Sequence, residues 1–438
     1  MKKTALRSIT LLTLTVFIAA GEAQAENKDL KKVLEEQGIY VETSKPGIKL
    51  SGYVDAGYSY NFTSRNAVQP LRSGNDGANA SENGGDFNLN NFKLVLEKPL
   101  PEDNSLSAGF RVDLNIGEDA ALRVGSNAND GLSALQIQQA YVNFNLPMGR
   151  GLEVKVGRFG ELTGVESPER PANLNITGGL VASLLPGEHV GLMGTYSLSE
   201  NWTVNGVIAN PAWTTNGDGT EFVTGTNKGN SAILTTGSLE YQNNTKNLTT
   251  KWVYVHNPNG GNGILTSPTV AGAGNQVANE GESLLFNHNT FWSPLCCKDK
   301  LLLGYNAAFG FYDNYANAPV GVAPREYNES YWGVAGYAKY LFNSVFSLAQ
   351  RVEYIQSNDG AKFGTVGSAL TPTNLNGKNS EALGFTTTAG FNLWENMLLR
   401  FEYRADFTHI NDSAVTSASR NGDETVAHLA AAQVVYSF

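Results

Sequence analysis

Alternation of apolar and polar residues is the dominant regularity of this chain. Between Ile48 and Phe62, the residues Ile48, Leu50, Val54, Ala56, Tyr58, Tyr60 and Phe62 share one side of an extended strand, with Gly52 between them. Lys49, Ser51, Tyr53, Asp55, Ser59 and Asn61 share the other. Successive side chains of a strand point to opposite faces, so this segment separates an apolar medium from a polar one. The pattern returns at Leu106–Ile116, where Leu106, Ala108, Phe110, Val112, Leu114 and Ile116 oppose Ser107, Arg111, Asp113 and Asn115.

The same reading predicts strands near 87–97, 134–146, 151–159, 189–198, 201–210, 231–242, 247–257, 283–293, 301–313, 330–342, 344–356, 381–393, 396–408 and 424–438. Sixteen strands result, with 14 or 18 as alternatives. Val95 falls on the polar face of its strand, and the segments 231–242 and 283–293 alternate poorly. Connections add a second rhythm. Long ones at 63–86, 117–133, 160–188, 211–230, 258–282, 314–329, 357–380 and 409–423 interleave with short ones near Pro99–Ser105, Pro147–Arg150, Glu200, Asn243–Lys246, Pro294–Lys300, Asn343 and Glu395. Outer-membrane barrels join strands by short periplasmic turns and longer external loops. The expected fold is therefore all-β, a transmembrane antiparallel up-and-down β-barrel of about 16 strands with both ends in the periplasm. A soluble β-sandwich gives no reason for this alternation of loop lengths. Aromatic residues such as Tyr60, Phe62, Trp202, Trp292, Tyr340, Phe342 and Trp394 fall near strand ends, as interfacial girdles require, although strand propensity enriches the same types. Val434, Tyr436 and Phe438 end the chain on one strand face, resembling the signal by which the outer-membrane assembly machinery recognises barrels.

The amino terminus changes the picture. Lys2, Lys3 and Arg7, an apolar run from Ile9 to Ala20, and Ala23-Gln24-Ala25 form a signal-peptide pattern over residues 1–25. The apolar run is shorter than the roughly 20 residues of a spanning helix, so cleavage before Glu26 is expected. Residues 26–46 are then a short periplasmic segment, with Leu30, Val33 and Leu34 at helical spacing over 29–37, too short for a trimerising coiled coil. Residues 47–438 form the barrel. Removing the signal takes three basic residues and Glu22, leaving 31 − 3 = 28 basic against 41 − 1 = 40 acidic side chains, a net of −12. Such a balance excludes nucleic acid as a partner. Cys296 and Cys297, adjacent and alone, build no disulfide framework. They read as two thiols or a local bridge in one turn, since no further Cys or His follows at a zinc-like spacing. No metal and no cofactor are expected.

Sixteen strands enclose an aqueous channel, and the polar face of each strand would line it. Charges recur there: Arg111 and Asp113, Arg351 and Glu353, and Arg400, Glu402, Arg404 and Asp406. Arg111, Arg351, Arg400 and Arg404 are the expected basic wall, and Asp55, Asp113, Glu353 and Glu402 supply the opposite sign. Inter-strand salt bridges that only stiffen the wall are the alternative. The connection 160–188 is long and comparatively apolar from Pro171 to Pro186, through Leu174, Leu180, Val181 and Leu184. It is expected to fold inward as a constriction, with Glu161, Glu166 and Glu169 facing the arginines.

Several stretches resemble one family along nearly all of residues 48–438. They are Ser51-Gly52-Tyr53-Val54-Asp55, Phe110-Arg111-Val112-Asp113, Gln139-Ala140-Tyr141-Val142, Gly157-Arg158-Phe159 with Gly164 and Glu166, and Arg351-Val352-Glu353-Tyr354. In that order they are similar to the OmpL-like β-barrel porins of Gram-negative outer membranes. Gly187-Glu188 departs from the pattern, which has bulky aromatics before the residue matching His189. The resemblance implies passive diffusion of small hydrophilic solutes and ions through a water-filled channel. Outer-membrane lipid, the assembly machinery and, as one assembly, a homotrimer are the implied partners. Two other function classes are weighed against it. A barrel enzyme needs a nucleophile or acid with a base, and His189, His256, His288, His409 and His428 accompany no Gly-x-Ser-x-Gly elbow or His-Glu-x-x-His helix. An adhesin would use long Asn- and Gly-rich loops such as 258–282, whose composition solvation alone explains.

Overall fold

The computed structural model describes residues 47–62, 84–120, 135–210, 233–257, 280–297, 300–316, 325–358, 380–394, 396–410 and 426–438. Residues 1–46, which carry the expected signal peptide and periplasmic segment, lie outside them, as do most of 258–282. All sixteen expected strands are present. They are β1 (Lys49–Asn61), β2 (Gly84–Lys98), β3 (Ser107–Ile116), β4 (Leu135–Leu146), β5 (Leu152–Gly160), β6 (Glu188–Ser197), β7 (Trp202–Ala209) and β8 (Leu234–Gln242). The second half comprises β9 (Leu248–Asn257), β10 (Glu280–Trp292), β11 (Leu301–Ala316), β12 (Arg325–Leu341), β13 (Phe346–Ser357), β14 (Ser380–Trp394), β15 (Met397–Ile410) and β16 (Val426–Ser437). Each pairs antiparallel with its neighbours in sequence, and β1 pairs with β16, closing the barrel.

Strict alternation decides which face is which. In β13, Ser347, Ala349, Arg351, Glu353, Ile355 and Ser357 are all buried, while Val352 between them is exposed. Around the barrel the exposed face carries Trp252, Phe286, Phe309, Trp332, Phe385, Phe401 and Tyr403, and the buried face carries Asn, Thr, Arg and Glu. An apolar exterior on a closed barrel is what lipid requires, because every strand N–H and C=O must find a partner within the sheet. No helix among the described residues is long and apolar enough to cross a membrane, and the crossing is made by strands.

Short turns use residues suited to tight reversal. Asn343 accepts from the amides of Val345 (2.9 Å) and Phe346 (2.7 Å) through its side chain, and Asn243 does the same for Asn247 and Leu248. Asn396 takes a positive φ of 67° between β14 and β15, a conformation asparagine tolerates.

Two local expectations are corrected. The connection expected at 314–329 is confined to 317–324, because β11 and β12 continue pairing as far as Ala316↔Arg325. Alternation also slips at three bulges. Asp55 faces Asn91 while Ala56 faces Leu89, and Asp113 faces Gln139 while Leu114 faces Ile137, so Asn90 and Gln138 are extra residues. Leu393 is the third. Each bulge reverses the phase of its strand beyond that point.

Closure is tight where the ends meet. Gly52 and Phe438 exchange both backbone hydrogen bonds at 3.0 Å, and the Phe438 ring lies against that of Phe92. A Cβ on Gly52 would strike the Lys93 carbonyl and come within 2.8 Å of Phe438 Cζ, whereas one on Gly206 would meet nothing within 4 Å. Gly52→Val is therefore expected to destabilise the folded barrel by about 1–3 kcal/mol. Gly206→Ala is expected to leave it within about 0.5 kcal/mol. Urea midpoints of the refolded protein, compared side by side, check both.

Candidate functional site

The segment between β5 and β6, residues 161–187, lies inside the barrel against the inward side chains. It leaves and returns at one point, where the Glu161 amide donates to the Gly187 carbonyl (3.0 Å). Between these residues the chain is irregular apart from two short 3-10 turns, Arg170–Ala172 and Ala182–Leu184. An irregular backbone away from water needs partners for its polar groups, and here the wall supplies them from side chains.

Most of these partners come from β13 and β15. Glu402 accepts from the amides of Ile176 (2.5 Å) and Thr177 (2.9 Å) and from the Thr177 hydroxyl (2.6 Å). Arg404, two residues on and on the same face, donates to the Thr177 hydroxyl (3.2 Å) and the Gly178 carbonyl, while its Nε reaches Asp406 (2.9 Å). Arg400 donates to the carbonyls of Asn173 (2.7 Å) and Arg170 (2.8 Å). Arg351 donates to the Thr177 carbonyl (2.7 Å) and pairs with Glu166 (3.0 Å) and Glu353 (2.7 Å). Carboxylates thus take the segment's N–H groups and guanidinium groups take its carbonyls, so both kinds of orphan are matched.

Glu166 is a hub. It accepts from Arg351, from the Tyr337 hydroxyl (3.0 Å) and from the Gly179 amide (2.7 Å). A Cβ at Gly179 would stand 2.5 Å from Glu353 Oε1 and 2.7 Å from Glu166 Oε1, so only glycine lets the backbone pass between the two carboxylates. On its other side the segment is apolar. Val165, Leu180, Val181 and Leu184 form one cluster with inward residues of β6–β14, among them Met193, Val207, Val255, Leu285, Tyr331 and Ile355.

All eight residues expected to line the channel lie on the inward face, and seven of them are buried. Asp55, Asp113 and Arg404 are 0% exposed, Arg351 and Glu353 1%, Arg400 2% and Glu402 5%. Arg351, Glu353, Arg400, Glu402 and Arg404 are consumed by the segment. Asp55 accepts from Asn90 (2.9 Å) and Gln433 (2.7 Å), and Asp113 pairs with Lys93 (2.9 Å) and Arg111 (2.7 Å). Of the eight, Arg111 keeps appreciable access, with 15% of its side chain exposed.

The three glutamates part ways. Glu166 pairs with Arg351. Glu169 pairs instead with Lys93 of β2. Glu161 turns back on its own chain, accepting from the amides of Leu162 (2.6 Å) and Thr163 (3.2 Å), and pairs with His189.

Sequence reasoning passed over several participants. Arg170 forks onto Asp119 with bonds of 2.8 and 3.1 Å, tying the segment to the chain after β3. Lys93 joins Asp113, Glu169 and, at 2.9 Å, Gln138. A signal for this corner was present in the doubled amides Asn90-Asn91 and Gln138-Gln139, which mark the two bulges that bring consecutive polar side chains inward. Other inward charges remain partly exposed on the opposite wall. They are Glu97 with Arg111 (3.1 Å) and Glu153 with Lys155 (3.6 Å), whereas Glu240 with Lys251 (3.9 Å) is set deeper, beside the segment. Lys155 also lies over the Tyr141 ring, and Lys251 donates to the Leu162 carbonyl (3.3 Å).

Among solved structures, the chain is similar to the outer membrane channel DcaP of Acinetobacter baumannii, with 12% identity, a TM-score of 0.56 and coverage of 89% of this chain and 97% of that one. OprB of Pseudomonas putida matches with 11% identity, a TM-score of 0.55 and coverage of 90% and 94%. OmpT of Vibrio cholerae in its trimer form matches with 8% identity, a TM-score of 0.53 and coverage of 89% and 99%. At these identities the likeness shows the fold alone. No curated protein sequence matches. A family described as "Putative beta-barrel porin-2, OmpL-like" matches residues 47–438. The chain belongs to this family: it is an outer-membrane porin, a channel-forming multi-pass β-barrel.

Proposed function

We propose that residues 161–187 are the constriction of the channel, and that small hydrophilic solutes and ions pass between this segment and the wall built by β3–β5. One contrast carries the reading. The Arg351 and Arg404 side chains are 0% exposed beneath the segment, while those of Lys155 and Glu153 are 23% and 32% exposed on the opposite wall. Charges that meet water are the ones a passing ion meets. The pore-lining role therefore moves to Glu97, Arg111, Glu153 and Lys155. Asp55, Asp113, Arg351, Glu353, Arg400, Glu402 and Arg404 become the frame that holds the constriction in place.

Passive diffusion is favoured over barrel enzymology by where the bases sit. His256, His288, His409 and His428 share strand faces with exposed Tyr254, Phe286, Phe407 and Val434, and so point toward lipid or the outer rim. The remaining histidine, His189, is tied to Glu161. A homotrimer is the assembly we favour, supported by the trimer form of one similar barrel. Export through the signal peptide 1–25 and recognition of Phe438 by the assembly machinery complete the proposed route to the membrane. A native mass of three chains for the detergent-solubilised protein supports the trimer, and a mass of one chain refutes it.

Planar-bilayer recordings in a salt gradient test the channel reading. Lys155→Glu is expected to shift the reversal potential toward cation preference with the conductance retained; no shift would remove the β3–β5 wall from the ion path.

Glu402→Gln addresses the frame. It places an amide donor against donors from Ile176, Thr177 and Thr388, and is expected to cost about 1–3 kcal/mol of stability. Deletion of 165–180 is expected to raise single-channel conductance. Unchanged conductance and selectivity in the deletion variant would show that the segment does not constrict the channel.

A further inference from the structure

The turn between β10 and β11 carries chemistry that the channel does not use. Leu295–Cys297 form one 3-10 turn, braced by hydrogen bonds from the Cys297 amide to the Pro294 carbonyl and from the Lys300 amide to the Cys297 carbonyl, both 3.0 Å. Cys296 is exposed and Cys297 half-buried, both are free thiols, and their sulfurs lie 3.2 Å apart. β10 ends and β11 begins at the barrel end where Gly52 meets Phe438, so the pair sits on the periplasmic rim.

An internal disulfide is a poor outcome for neighbouring residues. Unstrained disulfides hold their Cα atoms roughly 4.4–6.8 Å apart, whereas consecutive Cα atoms are separated by about 3.8 Å. The pair is therefore available as a dithiol. Thiols are soft donors and select soft acceptors. Two of them leave a structural zinc site half built, and no set of three His, Cys, Asp or Glu side chains suited to a metal occurs among the described residues. The hydrogen bond between the two thiols pushes the Cys297 thiol up. A bare cation would have to expel thiol protons. An acceptor that brings its own hydroxide groups carries them away as water.

We propose that Cys296 and Cys297 form a chelating site for trivalent arsenic, bound from arsenous acid. Each sulfur forms one S–As bond as one As–OH bond breaks, and each thiol proton leaves with the departing hydroxide as water. Two thiols and As(OH)3 give a dithiolate As–OH adduct and two waters, with no change of oxidation state. A small neutral solute that has crossed the barrel meets this site at the periplasmic mouth.

The test uses the full-length barrel, folded in detergent and isolated without added oxidant, with sodium arsenite as the probe. One arsenic bound per chain with the loss of two titratable thiols is expected. Affinity should be nearly flat between about pH 5 and 7.5, because no net proton is released, whereas a cation displacing protons binds more tightly as pH rises. Cys296→Ser and Cys297→Ser should each weaken binding by about 100-fold or more, the effective-concentration advantage of the second sulfur. The double serine variant should conduct like the native channel. Single variants that hold arsenite as tightly as the native chain would overturn the proposal. So would a native chain that shows no free thiols and a mass two hydrogens short, which would identify a closed disulfide instead.

Discussion

The hydrogen-bonded seam between β1 and β16, running from Tyr53↔Ser437 to Asn61↔Leu429, is the contact on which the rest of the structure depends. In hydrocarbon an unpaired backbone group costs several kcal/mol, and a sheet escapes that cost only by having no edge. Once the ring is closed, every strand has an inside and an outside, and the outside is fixed as apolar. The same demand then reappears within. Residues 161–187 enter the interior without a ladder partner, and their N–H and C=O groups still have to be matched. Wall side chains do this work, which is why charged residues concentrate where the segment lies.

Burying those charges is costly, at several kcal/mol per ion even after relaxation. The geometry shows how the cost is offset. Arg351 meets two carboxylates and a carbonyl, and Glu402 accepts three hydrogen bonds from the segment. Glu353 likewise pairs with Arg351 and accepts from the Val181 amide (3.2 Å). The arrangement is specific as well as stable, because the alternation of N–H and C=O along 173–179 must meet carboxylates and guanidiniums in a matching order. Gly179 completes the fit by removing the side chain that would collide with Glu166 and Glu353. Wall and segment therefore determine each other's position.

How much of this was legible in the sequence follows from which features have a period. Strands of a closed barrel alternate because lipid lies on one side of every residue pair, so the β13 and β15 patterns could be read directly. Inward orientation of Arg351, Arg400 and Arg404 followed from the same period. Their burial did not, because it depends on a segment that has none. Nothing in the spacing of Glu161, Glu166 and Glu169 separates the one that reaches Arg351 from the one that meets Lys93 or the one that caps its own backbone. A bulge hid Gln138 for a different reason. A single extra residue reverses the phase of alternation, and the doubled amides Asn90-Asn91 and Gln138-Gln139 carry that information only to a reader who expects a bulge. The length of the β11–β12 hairpin was also hidden, since pairing beyond the membrane needs no apolar face.

The distribution of partners constrains the electrostatics of the passage. Along the open wall the cations have acids within 4 Å: Arg111 with Glu97 and Lys155 with Glu153. A passing ion therefore meets paired charges rather than a single-sign ring, and the field across the channel is that of dipoles. Dipolar fields fall off faster than those of isolated charges, so they act on solutes that come close and orient them more than they exclude one sign. The net charge of the whole chain says little about this field, because the most strongly charged part of the interior, around Arg351 and Arg404, is already paired, by Glu353 and Asp406 of the wall and Glu166 of the segment. Ion preference then rests on small imbalances between two partly exposed pairs, and it is at those pairs that the wall has the most freedom to change selectivity without disturbing the frame.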